Sequence, residues 1–301
     1  MLPLIIVAVS FASLPPVSGN ATIRAKAGPS DIVITTTDRL AGAIHSLAWN
    51  GKEFINSTDH GRQLQSACSL DCGQKPFWAE AYNPTEAGSR KDAVGAKSSS
   101  KLLQIKAAGN RLETQSQMAF WLNPGEKSDH YPAKNDRALS NYLHAKTVTI
   151  GIPGIAHAID YSVTFAVPKG ERHTLAQFEA VTGYMPPEFR TFETYDPKTG
   201  RLSPLSDGPG EQPLPVVFST KSGSHAMAAI AGLPTVKGQT GPGYGRWNFA
   251  NEKVVKWNVV YRVANADGVP AGEYAYRVYV IVGSRENVRV SLDQLVKANA
   301  K

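Results

Sequence analysis

The sequence predicts an all-β protein, a large antiparallel β-sandwich with a short C-terminal helix. Three observations lead there. Apolar residues recur at every second position in several long segments, the signature of strands with one buried face. The segments between them are rich in glycine and proline, 26 and 20 residues of 301, which punctuate strands and disfavour helix interiors. Helical periodicity is confined to the C-terminal tail.

From the N-terminus, residues 1–21 hold an apolar run, Leu4 to Leu14, followed by small residues and a Gly-x-Ala end. This reads as a secretion signal, although no Lys or Arg precedes the run. The expectation is a secreted or periplasmic protein in which residues 22–301 form a single domain. No later stretch approaches eighteen consecutive apolar residues, so no integral membrane contact is expected. Hydrophobic content of 42% with 19% charged residues is that of a folding chain.

Short strands are expected at Asp31 to Thr36, Ala43 to Trp49, Leu102 to Ala107, Thr147 to Ile150, Leu175 to Thr182, Val216 to Ser219 and Ala226 to Ala231. Longer ones are clearer. "RLETQSQMAFW" sets Leu112, Met118 and Phe120 against Glu113, Gln115, Gln117 and Trp121, and "IDYSVTFAV" aligns Ile159, Tyr161, Val163, Phe165 and Val167. In "VVKWNVVYRV", Val255, Trp257, Val259, Tyr261 and Val263 alternate with Lys256, Asn258, Val260 and Arg262. "YAYRVYVIV" repeats the pattern with Tyr274, Tyr276, Val278, Val280 and Val282, and the turn formers Asp267, Gly268 and Pro270 suggest that these two strands pair as a hairpin. Ser291 and Gln294 form a capping-box pattern that would begin the final helix.

The net charge of +7 and pI near 9.3 favour anionic partners. The basic residues are scattered, without an arginine-rich run or zinc finger, so nucleic acid is not expected. Outside a cell the remaining anions are acidic glycans. The two cysteines, Cys68 and Cys72, would pair as a disulfide in an oxidising compartment. They are too few for a closed zinc site, and no metal is expected. No phosphate-binding loop, dinucleotide fingerprint or nucleophile elbow is present, so no cofactor is expected either.

"AGAIHSLAWNGKEFI", residues 41–55, resembles the opening hairpin of galactose-mutarotase-like proteins, where a glycine-rich strand runs through Ile-x-Ser-Leu into an Asn-Gly-Lys-Glu turn. "GYGRWNF" and "VVKWNVVYRV" look like the final strands of secreted carbohydrate-active members, and "TGYMPPEF" with "GEQPLP" is similar to uncharacterised bacterial relatives. The resemblance implies a β-supersandwich over the whole mature chain, with a concave sheet that handles sugars by lyase, hydrolase or binding function. Aldose epimerases of this fold carry an Asn-His motif that is absent here, which argues against epimerase chemistry.

Four stretches carry candidate chemistry. In "DHGRQLQ", His60 suits general acid–base catalysis and Arg62 suits a carboxylate, although the segment is equally an exposed turn capped by Asp59. "AEAYNPTEAGSR", residues 79–90, offers Tyr82 for stacking and Asn83 and Glu86 for sugar hydroxyls, against the alternative of an ordered structural loop. "SDHYPAKNDRALSNYLHAK" contributes His130, Tyr131, Arg137, Tyr142 and His144, the types a polysaccharide lyase uses, or a solvated loop entering a strand. "GPGYGRWNF" sets Tyr244, Arg246 and Trp247 among glycines, a platform for a sugar ring beside a cation or a plug at one end of the sandwich. Hydrolysis would need two carboxyl groups from among Glu86, Glu179, Glu188 and Glu211. His225 reads more readily as a strand histidine.

The expected function is an exported carbohydrate-active protein acting on or binding a polysaccharide, acidic as the charge balance suggests, by a polysaccharide-lyase-like mechanism. Catalysis would rest on His60, His144, Tyr244 and Glu86, and binding on Arg62, Tyr82, Asn83, Arg246 and Trp247. Non-catalytic glycan binding or surface assembly, and glycoside hydrolysis, are the alternatives.

Overall fold

The structure is a computed structural model that describes residues 17–56, 63–92, 95–233 and 235–299. It is all-β with one C-terminal helix. A four-stranded antiparallel sheet comes first, β1 (Ala21–Ala27), β2 (Ser30–Thr36), β3 (Ile44–Trp49) and β4 (Lys52–Glu53) in that order. Next come β5 (Gln65–Leu70), β6 (Pro84–Thr85), β7 (Lys101–Ala108) and β8 (Arg111–Phe120), then the small hairpin of β9 (Lys127–Ser128) and β10 (Tyr131–Pro132). The long strands β11 (Leu139–Ile152), β12 (Ile155–Val167) and β13 (Leu175–Met185) follow. The chain continues through β14 (Thr191–Asp196), β15 (Arg201–Pro204), β16 (Gly210–Gln212), β17 (Val216–Ser219) and β18 (Ala226–Ala231). It ends with β19 (Gln239–Phe249), β20 (Val254–Ala264), β21 (Gly272–Gly283) and the helix α1 (Arg285–Asn299).

Fifteen of these strands form one antiparallel sheet in the order β15-β14-β17-β18-β21-β12-β11-β8-β6-β5-β13-β20-β19-β16, with β7 on the edge of β8. The sheet folds back on itself, so that aromatic rings from one arm meet rings from the other. Phe165 of β12 lies 5.2 Å from Phe178 of β13, and Tyr276 of β21 stacks on Tyr261 of β20 at 4.5 Å and 21°. The seam between the arms is the two-residue β6, paired to β5 through Thr85 and to β8 through Pro84 and Thr85.

The alternation read in the sequence selects the buried face correctly. Val255, Trp257, Val259, Tyr261 and Val263 are all buried, as are Ile159, Tyr161, Val163, Phe165 and Val167. Burying such rows supplies most of the folding free energy, about 25 cal/mol per Å² of apolar surface. Gly183 sits directly beneath the Trp257 indole, where a Cβ would come within 2.5 Å of the ring.

The expected hairpin of β20 with β21 does not form. β20 pairs with β13 and β19, while β21 pairs with β12 and β18, so the Asp267-Gly268 loop crosses from one arm to the other. Both strands are apolar on one face because they face each other across the core. The helix also begins earlier than expected: the Ser284 hydroxyl accepts from Asn287 N at 3.1 Å and the Asn287 side-chain oxygen accepts from Ser284 N at 3.1 Å. Ser291 is therefore a buried mid-helix residue and not a cap.

Cys68 and Cys72 are both free thiols, contrary to the expected disulfide. Cys68 points into the core from β5, and the chain runs on extended to Leu70 before it turns. Cys72 lies in the turn that follows, with φ 54°, and its N–H is taken up by His173.

Candidate functional site

The arm formed by β5, β13, β20, β19 and β16 turns its outer face into a groove of about 240 Å³. Its floor comes from Gln65, Ala67 and Ser69 of β5, from Gln177, Glu179, Thr182 and Tyr184 of β13, and from Lys256, Asn258 and Arg262 of β20. These are the polar halves of the alternating strands whose apolar halves make the core. A bulge at Ala180 shifts the register of β13 against β20 between Glu179 and Val181. It moves the groove face from the odd residues Gln177 and Glu179 to the even residues Thr182 and Tyr184, re-aiming side chains as bulges beside binding sites do.

Trp247 of β19 and Glu211 of β16 close one side. Gly243, Gly245 and Trp247 share this face of β19, and the two glycines leave room for their neighbours. A Cβ on Gly243 would lie 2.1 Å from the Glu211 carboxylate, and one on Gly245 would lie 2.3 Å from Asn258 Oδ1 and 2.4 Å from the Trp247 ring. Glu80, Asn83 and Trp121 supply the opposite rim.

The charges are organised in pairs. Arg262 makes a bidentate contact to Glu211 at 2.8 and 2.6 Å and donates to Gln177 Oε1 at 3.0 Å. Lys256 Nζ lies 5.0 Å from the Trp247 ring centre and 5.5 Å from that of Tyr184. Burial works to lower the Lys256 pKa, but the Glu179 carboxylate, Tyr184 and Glu80 outweigh it and hold the ammonium above its ordinary value. Glu179 is 9% exposed and accepts no hydrogen bond from the described residues. A carboxylate beside a cation and aromatic rings, on a face partly open to solvent, is equipped to bind hydroxyl groups.

The sequence-derived candidates divide sharply. Asn83 and Trp247 line the groove, as do Glu179 and Glu211. Asn83 also braces the rim, donating from Nδ2 to Cys68 O at 2.7 Å and to Ser69 Oγ at 3.0 Å. Tyr244 and Arg246 occupy the other face of β19, since alternation sends them opposite Trp247. The Tyr244 hydroxyl accepts from Ala231 N at 3.1 Å, and Arg246 donates to Ser206 O and Oγ, each at 2.8 Å. They anchor the strand instead of facing a ligand. His60 and Arg62 lie outside the described residues.

Glu86 and His144 are not at the groove either. Both are buried between the arms, where Glu86 pairs with Lys146 and accepts from Ser66 N at 3.1 Å. His144 packs 5.2 Å from Phe165, and neither ring nitrogen has a hydrogen-bond partner. Burial lowers its pKa to about 4, with Glu86 opposing and Lys146 adding to the effect. A catalytic base needs access to a proton on its substrate, and this histidine has none.

Tyr82 turns away into a cluster at the end of the sheet. The Glu171 carboxylate there accepts from Tyr82 at 2.8 Å and Tyr142 at 2.9 Å, and lies 3.1 Å from His173 Nε2. Cys72 N donates to His173 Nδ1 at 3.2 Å, so Nε2 carries the proton that faces Glu171. Burial pushes the Glu171 pKa up, but the hydrogen bonds from His173, Tyr82 and Tyr142 together bring it below its ordinary value. Glu188 pairs with Lys52, His130 is exposed beside Asp129, Arg137 is exposed beside Asp136, and His225 lies against Trp49 and Phe54.

Among the described residues no three His, Cys, Asp or Glu side chains converge to hold a metal ion. No described helix is long and apolar enough to cross a membrane. A second hollow, of about 300 Å³, lies over Gln104, Gln115, Thr147 and Thr164, with Glu113, Arg277 and Tyr276 also in its lining.

No protein-family model matches the chain, and no curated protein matches it by sequence. Solved structures share its fold. An α-mannosidase from Enterococcus faecalis V583 is 10% identical with a TM-score of 0.54, over 93% of this chain and 32% of that one. A glycosyl hydrolase family 38 protein from Enterococcus faecalis is 11% identical with a TM-score of 0.54, over 93% and 33%. The chain thus spans about a third of the length of either protein. A protein from Synechocystis sp. PCC 6803 is 12% identical with a TM-score of 0.47, over 93% of this chain and 100% of that one. The class defined is a large antiparallel β-sandwich, and at these identities the likeness to part of those two proteins is one of fold.

Proposed function

We propose that the groove binds a saccharide, with one sugar ring laid against Trp247 and its hydroxyls shared among Glu179, Lys256, Asn83 and Gln177. The observation that carries this reading is Glu179, a nearly buried carboxylate lining the groove together with Lys256, Tyr184 and Trp247. Aromatic faces take the apolar face of a sugar while charged groups satisfy its hydroxyls. Three carboxylates, Glu80, Glu179 and Glu211, stand against two cations, Lys256 and Arg262. That balance supports a neutral saccharide over the anionic one expected from the overall charge.

A glycan microarray covering neutral and acidic sugars, followed by calorimetry, tests the reading. Neutral glycans are expected to bind the parent, and both Trp247→Ala and Glu179→Gln should weaken them by roughly tenfold. Absence of any glycan ligand, or unchanged affinity in both variants, would refute it.

A lyase reading draws on Tyr184 and Lys256, paired in register on the groove face. There Lys256 would neutralise a uronate carboxylate and Tyr184 would take the C5 proton. Acting as the phenolate, Tyr184 becomes a phenol; the electrons left behind form the C4–C5 double bond as the C4–O bond breaks, and the departing oxygen takes the proton back from Tyr184. Ultraviolet absorbance of unsaturated uronates during incubation with acidic polysaccharides is the assay, and a flat trace would dismiss this second reading.

A further inference from the structure

An aromatic pair flanks the turn that supplies Glu80 to the groove, without joining the core. Trp78 immediately precedes the 3-10 turn Ala79–Tyr82 that carries Glu80. Its ring stacks on Tyr131 of β10, with centroids 4.6 Å apart and planes at 14°, and His130 packs on Tyr131 at 4.0 Å. Trp78 and Tyr131 are half-buried and His130 is exposed. Two ties fix the β9–β10 hairpin to the turn. The Ser128 hydroxyl donates to the Glu80 carboxylate, and Lys134 N donates to Ala81 O at 2.8 Å.

Glu80 itself lines the groove, and its charge acts on Lys256. A line therefore runs from Trp247 across Lys256 to Glu80 and on to the stacked pair. The groove's 240 Å³ is below the roughly 300–1,000 Å³ of sites that enclose a small-molecule ligand. A ligand longer than the groove would leave it past Glu80, beside Trp78, whose ring is held by Tyr131 and is partly open to solvent. Pre-positioned rings cost little ordering entropy when a ligand binds.

We propose that Trp78, backed by Tyr131, forms a second stacking platform for the neighbouring unit of a sugar chain, so that the ligand is an oligosaccharide and not a monosaccharide. This rests on the saccharide reading of the groove and extends it by one unit. Glu80 would sit at the junction, accepting from hydroxyls on either side of the glycosidic bond.

The test is titration of the full chain with glucose, mannose and galactose and with the tetraoses cellotetraose, mannotetraose and galactotetraose, followed by tryptophan fluorescence and calorimetry. For the sugar type that binds, the parent should prefer the tetraose by roughly threefold to tenfold, the range of one added stacking contact. Trp78→Ala should lose that preference while binding the monosaccharide as the parent does. Tyr131→Ala, on an exposed hairpin, should act in the same direction and guards against a folding defect in the first variant. Trp247→Ala should weaken both ligands, which separates failure of the groove from failure of the platform. Retention of the full tetraose preference in both platform variants would overturn the proposal, as would an equal loss for monosaccharide and tetraose. Absence of binding by all six sugars would overturn it together with the saccharide reading.

Discussion

Replacing Lys146 with methionine should destabilise the protein severely although Lys146 touches no ligand site. Its ammonium and the Glu86 carboxylate are paired at 0% and 1% side-chain exposure, so neither charge has water to fall back on. Methionine nearly matches the lysine stem in volume, which removes cavity formation as the cause. What remains is a carboxylate in the core with only the Ser66 N–H at 3.1 Å to satisfy it. Breaking a buried pair from one side costs about 3–5 kcal/mol, a large part of the roughly 5–15 kcal/mol that holds a typical domain together. Removing both charges in Glu86→Gln/Lys146→Met should recover most of that loss, because a neutral amide retains an acceptor for Ser66 N. Urea unfolding followed by circular dichroism gives all the free energies, and the double-mutant cycle isolates the pair. A Lys146→Met variant within about 1 kcal/mol of the parent, or a double variant as unstable as the single, would refute the reasoning.

His144 makes stability depend on pH, with a sign set by its depressed pKa. Its folded value of about 4 lies below the ordinary 6.5, so its contribution is complete above about 6.5 and is lost as pH falls towards 4, amounting to about 2 kcal/mol by pH 5. In His144→Phe that part of the loss between pH 7.5 and 5 should vanish, while His45, also lowered by burial, contributes equally to both proteins and cancels; identical pH profiles would rule the assignment out. Gly245→Ala should displace Trp247 or Asn258, since its Cβ would approach them within 2.4 and 2.3 Å, and weaken saccharide binding roughly tenfold with the circular dichroism spectrum unchanged; parental affinity would show that the ring's position is immaterial. Unfolded protein should titrate for two free thiols, while native protein should react slowly because burial raises the Cys72 pKa to about 12 and buries Cys68 completely; an unfolded chain with no reactive thiol would restore the disulfide.

The core was legible because period-two burial is a local property. Leu112, Met118 and Phe120 all point inward in β8, and "VVFS" and "AMAAIA" mark β17 and β18 to the residue. Pairing partners were not legible, as β20 and β21 illustrate: adjacent in sequence and matched in pattern, they belong to opposite arms. The candidate site was read from loops dense in chemistry, whereas most of its floor comes from the unremarked halves of regular strands. Lys256 and Arg262 stood in the sequence as the polar partners of an apolar stripe, and nothing local distinguishes such a row over a groove from one over solvent. Parity alone would have parted Trp247 from Tyr244 and Arg246. The bulge at Ala180, which brings Tyr184 onto the same face as Glu179, leaves no mark in the alternation. The loop at residues 79–90 serves both roles: Glu80 and Asn83 face the groove, while Glu86 is part of the interior.

The strands β13, β19 and β20 each give one face to the core and the other to the groove. In evolutionary terms this makes the two faces separately inheritable. Drift at Gln177 or Trp247 alters the groove without disturbing Phe178, Val259 or Tyr261 on the reverse side, and a lineage is free to change that surface while its thermostability stays constant. The bulged position is the exception: deleting Ala180 would rotate Gln177 and Glu179 inward and Phe178 outward relative to the rest of the strand. Insertions and deletions are therefore expected to be purged from β13 far more strictly than substitutions on its groove face, an asymmetry that random mutagenesis with selection for expression would reveal.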